Sequence, residues 1–573
     1  MTENEKKAVI SSAKTALGIE FGSTNIKAVL TALDGTVLAT GNYGWENRLE
    51  DGIWTYHLDD IWAGLAGCYG DLKDNVKQKY SLSLTKIGCI GISAMMHGYL
   101  AFDKEMKLLH PFETWRNTDT QAAADELMEL FNFNIPQRWS IAHLYQRMLD
   151  GESHVTKIDR VFTLDAYVHF ALTGEFVTGV GDASGMFPQK FGDYDQEMVD
   201  KFDALAGKTY KGFSLRKIFP KVLLAGQDAG NLTKAGALLL DPSGELEAGI
   251  PFAPPEGDAG TGMVATNAIR KYTGNTSAGT STFAMLVLDK PLSKPYRELD
   301  MVTTPTGYPV AMAHANNGTT DINKWMDLFA GVIALYNGAP VVEGSEKGRK
   351  SALAAEDSER GRKSASAAGS SEAGRKSASA DDIDMGRLFT TLFKASTSGA
   401  ADCGGLVTYG YYSGEGITGL NEGRPLMVKS PDSDMSVQNF VRSLVYGSLA
   451  SVKIGMDILL KDEGARCDAM TGHGGLFKTP GVAQQYLADA LDAPVRVMET
   501  ASEGGPWGMA LLAAYRLDSG EKSLEDWLDG IFKNMNSTVC PPTKEGAAGF
   551  ASYISHYKDA LAVERTAVDV VKW

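Results

Sequence analysis

The sequence predicts an α/β protein with two large domains and a cleft between them, and three observations support this prediction. The chain has 573 residues, which is more than one hydrophobic core usually organises. Strand-like and helix-like patterns alternate from residue 16 to about residue 260, as is typical of α/β architecture. Three short glycine-rich loops, spread from residue 20 to residue 475, indicate a nucleotide held between two lobes.

Composition and charge argue against several classes of protein. The formal net charge of −16 argues against a nucleic-acid-binding surface, which is normally basic. The sequence has no run of about 18 apolar residues that would predict a membrane span. The stretch from Met1 to Lys14 lacks the apolar core of a signal peptide. The five cysteines form no CxxC pair, which favours reduced thiols. We therefore expect a cytoplasmic protein that binds neither nucleic acid nor membranes.

The first glycine-rich loop is predicted to be a hairpin tip. Strand-like runs from Ala16 to Ile19 and from Ile26 to Thr31 flank it. Backbone N–H groups at such a tip, with hydroxyls beside them, can cradle phosphate oxygens. Glu20 directly precedes the loop, where a carboxylate can hold Mg²⁺ directly or through water; the alternative is a solvent-facing glutamate. The predicted nucleotide contacts of this loop are Gly22, Ser23, Thr24 and Lys27.

The second glycine-rich region carries an aspartate. Small residues surround Asp258 in the segment Pro254 to Gly262, so a substrate and a phosphate can approach its carboxylate. Such an aspartate can accept a proton from a substrate hydroxyl as the oxygen attacks a γ-phosphate. The alternative is an ordinary Asp-Gly turn. The loop Ser277 to Thr282 follows, and its predicted nucleotide contacts are Gly279, Thr280 and Ser281.

The third loop, Thr471 to Lys478, has a backbone that carries few side chains. Such a backbone suits stacking against an adenine or a ribose, and a plain glycine turn is the alternative. Its predicted nucleotide contacts are Gly474, Gly475 and Lys478.

Helical patterns and one unusual segment complete the prediction. The cluster Thr118 to Thr120 can cap the first of these helices, and Ser436 can cap the second. Between residues 343 and 382 the chain offers almost nothing to bury and repeats GRKSA three times. We predict a disordered insertion there, an expanded surface loop, with a docking arm or phosphorylation site as the alternative. The predicted helices are Gln121 to Phe131, Ser436 to Leu460, Pro480 to Leu491 and Gly508 to Tyr515.

Taken in order, these motifs resemble the FGGY family of carbohydrate kinases, within the actin/hexokinase ATPase superfamily. Gly18 to Thr24 resembles the family's first phosphate motif, Ser277 to Ser281 its second, and Gly472 to Gly475 its adenosine motif. Met96-His97-Gly98 and the segment Thr114 to Asn117 resemble the sugar-contact segments of xylulokinases. The resemblance runs from about residue 16 to about residue 515.

The resemblance implies two ribonuclease-H-like domains with ATP and Mg²⁺ in the cleft between them. We expect an N-terminal kinase domain over residues 16–265 and a C-terminal one over residues 266–535. Short extensions, residues 1–15 and 536–573, would flank them.

The resemblance also implies roles for individual residues. Asp258 would be the general base, and Glu20 with Asp258 would hold Mg²⁺. The protein would phosphorylate a terminal hydroxyl of a ketopentose, with D-xylulose slightly favoured over L-ribulose, and other ketoses and polyols stay open. Without the neighbouring matches, His97 would more often be a structural histidine and Trp115 a core aromatic. The expected sugar contacts are Met96, His97, Gly98, Trp115, Asn117 and Asp258.

Two departures from the family keep other functions open. The family usually has aspartate where this chain has Glu20, and glycine is common where it has His473. A catalytically weak regulator that binds sugar and nucleotide is one alternative, and a chaperone-type or filament-forming ATPase is another. The oligomeric state stays open, with a homodimer among the options.

Overall fold

The computed structural model describes residues 1–338, 383–498 and 504–572. The predicted insertion, residues 343–382, lies outside the described residues, so that prediction stays untested. The described chain forms two large mixed sheets, one in each half, with helices packed on them.

The first half contains short strands and helices in alternation. Its strands are β1 (Thr15–Phe21), β2 (Asn25–Ala32), β3 (Val37–Gly44), β4 (Arg48–Glu50), β5 (Ile53–Thr55), β6 (Cys89–Ala94), β7 (Leu100–Phe102), β8 (Arg160–Phe162), β9 (Val177–Gly179), β10 (Gln189–Lys190), β11 (Asp193–Tyr194), β12 (Lys221–Leu223) and β13 (Glu256–Gly257). Its helices are α1 (Glu3–Ser11), α2 (Leu58–Tyr80), α3 (Gln121–Phe131), α4 (Ser140–Leu149), α5 (Leu164–Thr173), α6 (Val180–Ala183), α7 (Gln196–Ala206), α8 (Leu215–Ile218), α9 (Lys234–Leu240) and α10 (Asp258–Ala265).

The large sheet of the first half has the strand order β13-β6-β1-β2-β3. β1 pairs antiparallel with β2 and parallel with β6, and β6 pairs parallel with β13. The predicted hairpin is confirmed, because Gly22 N–H donates to the carbonyl of Asn25 over 3.0 Å at its tip. Leu17, Ile19 and Leu30 are fully buried in the core of this half.

The second half continues the alternation. Its strands are β14 (Thr273–Ala278), β15 (Thr282–Val287), β16 (Asp300–Thr303), β17 (Pro309–Ala315), β18 (Leu406–Tyr409), β19 (Leu426–Lys429), β20 (Ala469–His473), β21 (Val495–Met498) and β22 (Ser537–Cys540). Its helices are α11 (Thr320–Tyr336), α12 (Met385–Ser396), α13 (Val437–Asp457), α14 (Val482–Leu491), α15 (Gly504–Asp518), α16 (Leu524–Phe532) and α17 (Lys544–Val570).

The large sheet of the second half has the strand order β16-β17-β15-β14-β20-β21-β22. The neighbours β14, β20 and β21 are parallel, so their carboxyl ends lie at one edge. The helical stretch Val437–Asp462, which contains α13, is long and apolar enough to cross a membrane, but 83% of its most apolar window is buried inside the protein. This burial is typical of a core helix.

The predicted helices are present, and one predicted cap is wrong. α3 spans Gln121–Phe131 as expected, but Thr120 makes no side-chain cap. Its hydroxyl donates instead to the carbonyl of Gln137, because the backbone at Gln137 lies within hydrogen-bond distance of Thr120. Ser436 does cap α13, accepting the N–H of Asn439 over 3.3 Å.

Helix α15 joins the two halves. It belongs to the second half in sequence, but it packs on β1, β6 and α10 of the first. Glycines allow this close approach: a Cβ on Gly18 would lie 2.1 Å from the carbonyl oxygen of Pro506, and one on Gly508 would lie 2.0 Å from that of Thr261. The start of the helix, Gly504 and Gly505, lines a cavity together with residues of both large sheets.

Candidate active site

The register of three parallel strands brings distant residues together. Glu20 of β1 pairs with Ser93 of β6, and Ser93 pairs with Glu256 of β13. Because parallel strands end at the same edge, the first phosphate loop, Met96 and Asp258 all emerge side by side. Ligands of open α/β sheets commonly bind at this edge.

Asp258 is the first residue of α10 and faces a cavity of about 230 Å³. Its Oδ1 accepts the backbone N–H of Met96 over 3.2 Å. The carboxylate is open to the cavity while protein encloses its other sides, and this burial raises its pKa above the ordinary value. Backbone N–H groups of Met96 and Ala259 oppose that rise. Asp258 is therefore an ionisable proton acceptor of increased basicity, held in a fixed orientation.

Glu20 lines the same cavity. Burial and the nearby charge of Asp258 raise the pKa of Glu20 to about 8, against the opposing charge of Lys27. Its Oε2 has no hydrogen-bond partner among the described residues, and a Cβ on Gly505 would lie 1.5 Å from it. Two neighbouring carboxylates, one of them with a buried oxygen that lacks a partner, are oxygen donors of the kind that Mg²⁺ prefers. The residues present therefore fit a magnesium ion.

The second and third loops lie at one edge of the other sheet. Ser277 of β14 pairs with His473 of β20, and both strands end in a predicted nucleotide loop. Gly474 has φ +98°, and a Cβ on it would lie 2.5 Å from the carbonyl oxygen of Ala278, so glycine is required for this approach. The carbonyl of Gly279 accepts both the N–H and the hydroxyl of Thr319, each over 2.9 Å. This bracing holds the second loop against the start of α11.

Most predicted nucleotide contacts of these two loops are accessible. Thr280, Gly474, Gly475 and Lys478 are exposed, and Gly279 and Ser281 are half-buried. His473, which lines the cavity, is different, because burial lowers its pKa to about 4. The imidazole is therefore neutral at neutral pH and supplies no positive charge to a phosphate.

The first loop is held from one side and open on the other. Ser23, Thr24 and Lys27 are exposed at the tip. The indole N–H of Trp45 donates to the carbonyl of Gly22 over 2.7 Å. The loop thus combines a fixed backbone with accessible hydroxyls and an amine.

The Met96-His97-Gly98 segment is buried next to Asp258. His97 has the left-handed φ of +71° and lies against Trp139, with ring centroids 6.4 Å apart. Its Nδ1 donates to the carbonyl of Gly185 over 3.2 Å, and burial keeps its pKa well below the usual range. A Cβ on Gly98, at φ +108°, would lie 2.8 Å from the ring of Phe112. His97 is therefore a neutral side chain in a constrained backbone.

The two predicted sugar contacts in segment 114–117 differ in how accessible they are to a ligand. The side chain of Trp115 is 38% exposed and can meet a ligand. Asn117 is 7% exposed, and its amide is already engaged: Oδ1 accepts the N–H of Trp54, and Nδ2 donates to the carbonyls of Trp54 and Thr114. In this structure Asn117 positions the segment.

Sequence reasoning missed helix α4, which supports both sugar segments. The hydroxyl of Ser140 donates to the carbonyl of Gly98 over 2.6 Å. His143 and Arg147, one turn apart on α4, both contact the carboxylate of Glu113, which directly precedes residues 114–117. The spacing of the two side chains is visible in the sequence, but their partner is not.

A second missed group is a set of buried carboxyls behind Asp258. Glu256 is 2% exposed, and burial together with the charge of Asp182 raises its pKa to about 8. Asp182 accepts the hydroxyls of Thr163 and Thr178 over 2.7 and 3.0 Å. These groups pack beneath the start of α10.

A larger cavity, of about 350 Å³, lies between α11 and the β18–β19 hairpin. Its lining residues include Asp321, Trp325 and Tyr412 and none of the predicted site residues. The smaller cavity is therefore the one that predicted site residues line, namely Glu20 and Asp258.

Fold and site together define a two-domain ATPase of the actin/hexokinase type, with residues of both large sheets, among them Glu20, Ser277 and His473, lining one cavity. Comparison with models of protein families identifies the family within this type. The N-terminal and C-terminal domain models of the FGGY family of carbohydrate kinases match residues 15–264 and 274–517. The chain belongs to the FGGY family of carbohydrate kinases, whose members are phosphotransferases that use ATP.

Individual relatives are distant. L-fuculokinase of Escherichia coli K12 is 23% identical over 251 residues, and the match spans 41% of this chain and 48% of that kinase. The aligned part is therefore about half the length of that relative.

Solved structures match over nearly the whole chain. A ligand-bound xylulose kinase from Lactobacillus acidophilus superposes with a TM-score of 0.71 at 16% identity, covering 96% of this chain and 98% of that one. Plasmodium falciparum glycerol kinase with ADP has a TM-score of 0.69 at 13% identity, covering 98% and 99%. At these identities the likeness shows the fold.

Proposed function

We propose that this protein transfers the γ-phosphoryl group of ATP to a terminal hydroxyl of a ketopentose. The observation that carries the proposal is the position of Asp258. It stands at the head of α10, faces the cavity beside Glu20, and is bound to the backbone of the Met96-His97-Gly98 segment. A base, a cation site and the predicted sugar segment therefore converge at one point.

The transfer follows from this arrangement. The carboxylate of Asp258 takes the proton of the substrate hydroxyl as its oxygen attacks the γ-phosphorus. An oxygen–phosphorus bond forms to the sugar, the bond from the γ-phosphorus to the bridging oxygen breaks, and ADP leaves with that electron pair. The loops at Gly22 and Gly279 hold the β- and γ-phosphates through backbone donors. The backbone at Gly474 and Gly475 receives the adenosine.

Glu20 and Asp258 would hold Mg²⁺, which when bound neutralises charge on the phosphate oxygens. Two features support this proposal: the two carboxylates lie close together, and Oε2 of Glu20 has no partner within the described part of the chain.

The sugar would lie between His97 and Trp115, within reach of Asp258. Because its Nδ1 donates to Gly185, a neutral His97 can accept one hydrogen bond from a sugar hydroxyl at Nε2, and the exposed indole of Trp115 offers an apolar face. D-xylulose is slightly favoured over L-ribulose on the match of the Met96-His97-Gly98 segment. The two differ by the orientation of single hydroxyls, which a few hydrogen bonds discriminate.

A sugar panel tests the proposal. ATP turnover is coupled to ADP detection for ketopentoses, glycerol, gluconate and L-fuculose, and the phosphorylated products are identified by mass. We expect the largest kcat/KM for a ketopentose. A larger value for one of the other acceptors would overturn the proposed substrate class, and ATP hydrolysis indifferent to every acceptor would overturn the transfer itself.

A catalytically weak binder of sugar and nucleotide is the second candidate. Glu20 favours it, because its pKa of about 8 leaves the carboxyl largely protonated at neutral pH unless a cation is bound. Calorimetry distinguishes the two candidates: binding of ATP and D-xylulose without any phosphorylated product would support the second.

A further inference from the structure

A short extended stretch of chain, Trp54 to Tyr56, joins the two predicted ligand regions, and we call it the linking strand. We propose that the linking strand couples sugar binding at residues 114–117 to the geometry of the first phosphate loop. The proposal rests on the proposed function, because it takes residues 114–117 as sugar contacts and residues 22–24 as phosphate contacts.

One end of the linking strand is fixed to the sugar segment through Trp54. Its carbonyl accepts the N–H of Thr114 over 3.2 Å and the Nδ2 of Asn117 over 2.8 Å. Its N–H donates to Oδ1 of Asn117 over 2.9 Å. The guanidinium of Arg116 lies 3.6 Å over the centre of the Trp54 ring. A shift of residues 114–117 therefore shifts the backbone of Trp54.

The other end is fixed to the phosphate loop through Tyr56. Its hydroxyl donates to the carbonyl of Ser23 over 2.6 Å, and its ring stacks on Trp45 with centroids 4.0 Å apart. Trp45 in turn donates its indole N–H to the carbonyl of Gly22 over 2.7 Å and its backbone N–H to that of Thr24 over 3.1 Å. Three consecutive loop carbonyls are thus held by one stacked pair. Since a peptide is planar, holding its carbonyl also orients its N–H.

The distance between the two ends is short. Trp54 and Tyr56 are two residues apart in extended chain, which is about 7 Å. Phe112 provides a second contact, because it lies beside Tyr56, with ring centroids 6.3 Å apart, and also against Gly98. The path from the sugar segments to the phosphate loop therefore consists of packed rings and hydrogen-bonded backbone throughout.

The functional consequence is a reciprocal effect on affinity. A sugar that orders residues 114–117 also orders the first loop, so ATP then binds with a smaller entropic cost. By linkage, ATP tightens sugar binding by the same factor. Tyr56→Phe keeps the stacked ring and removes the donor to Ser23. We expect it to reduce the coupling factor about fivefold, which is typical of one hydrogen bond.

Calorimetry tests the coupling. The Kd of a non-hydrolysable ATP analogue is measured with and without saturating D-xylulose for the wild type, Tyr56→Phe and Tyr80→Phe. Tyr80 is a matched control, because its hydroxyl also donates to a backbone carbonyl of the same domain, that of Leu38, over 2.8 Å. We expect the sugar to tighten the analogue in the wild type and in Tyr80→Phe, and about fivefold less in Tyr56→Phe.

A double-mutant cycle locates the path. Asn117→Ala removes two of the hydrogen bonds that fix Trp54 at the opposite end of the linking strand. The loss of coupling in the Tyr56→Phe/Asn117→Ala double variant should therefore be less than the sum of the losses in the two single variants. Unchanged coupling in Tyr56→Phe, no coupling in the wild type, or independent losses in the double variant would each overturn the inference. If the wild type forms sugar phosphate normally and coupling is unchanged in Tyr56→Phe, only this inference fails. If the wild type forms no sugar phosphate, the proposed function fails, and this inference fails with it.

Discussion

The backbone N–H of Met96 donates a hydrogen bond to Oδ1 of Asp258 across 162 residues of chain. This bond joins the segment predicted to contact the sugar to the predicted base. Because the donor is a main-chain group two residues after the end of β6, the adjoining sheet helps to set the direction of the carboxylate. The predicted base and the predicted sugar segment therefore share one rigid support.

We expect activity to require a carboxylate at the position of Glu20 and to tolerate a change in the length of that side chain. Glu20→Gln removes the carboxyl that would ligate Mg²⁺ beside Asp258, and we expect kcat/KM for ATP to fall about 100-fold or more, as for loss of a transition-state charge partner. Glu20→Asp keeps a carboxyl that can ligate the cation and should stay within about tenfold of the wild type. Initial rates measured over a range of Mg²⁺ concentrations check both.

Glu46→Gln is the control for Glu20, because Glu46 is exposed in the same part of the chain and lies outside the cavity lining. Its rates should equal those of the wild type. Wild-type rates in Glu20→Gln would contradict a cation site at this carboxylate.

The contact between α15 and α10 should depend on Gly508. A Cβ there would lie 2.0 Å from the carbonyl oxygen of Thr261, so Gly508→Ala must push two helices apart. We expect a loss of about 1–3 kcal/mol in the free energy of unfolding. Gly530 lies in α16, and a Cβ on it would have no atom of the described residues within 4 Å, so Gly530→Ala should gain about 0.5–1 kcal/mol. Denaturant titration measures the free energy of unfolding of both variants. A change in the same direction in both would contradict this account.

Glu113 should make stability depend on acid pH. Burial alone would raise its pKa, but His143, Arg147 and His110 hold it down at about 2, below the ordinary value of 4.5. A depressed carboxyl pKa stabilises the folded state fully above about pH 4.5, and this contribution is lost as the pH falls towards 2. The lost free energy of unfolding is about 3 kcal/mol.

Glu113→Gln removes that titration. The variant should be less stable than the wild type at pH 7, and the difference should shrink as the pH falls from 4.5 to 2. Urea titrations at a series of pH values measure it. A constant difference across this range would show that Glu113 does not titrate as its contacts require.

Local features of the fold are predictable from the sequence. The hairpin of β1 and β2 follows from two apolar runs around Gly22, and α3 follows from the apolar spacing of Gln121–Phe131. The predicted cap of α13 by Ser436 is confirmed, because capping needs only neighbouring backbone. The predicted side-chain cap of α3 by the cluster Thr118 to Thr120 is absent: Thr120 stands at the N-cap position, but a distant carbonyl, that of Gln137, takes its hydroxyl.

The candidate site is predictable as a set of segments and not as a geometry. Glycine loops and Asp258 are visible as motifs, whereas the strand register that aligns Glu20 with Glu256 is a long-range property of the sheet. Asn117 shows the same limit, because its engagement by Trp54 depends on residues 63 positions away. The roles of the individual site residues and the domain boundaries remain predictions.

The central claim is that Asp258 takes the proton from the sugar hydroxyl. The most direct test is the rate of sugar-phosphate formation by Asp258→Asn at saturating ATP and sugar, with calorimetry to confirm that both still bind. Asp195→Asn is the matched control, because Asp195 also begins a helix of the same domain and asparagine caps helices equally well. We predict that Asp258→Asn forms sugar phosphate at least about 100-fold more slowly than the wild type, while Asp195→Asn keeps the wild-type rate. Undiminished sugar-phosphate formation by Asp258→Asn would contradict the account.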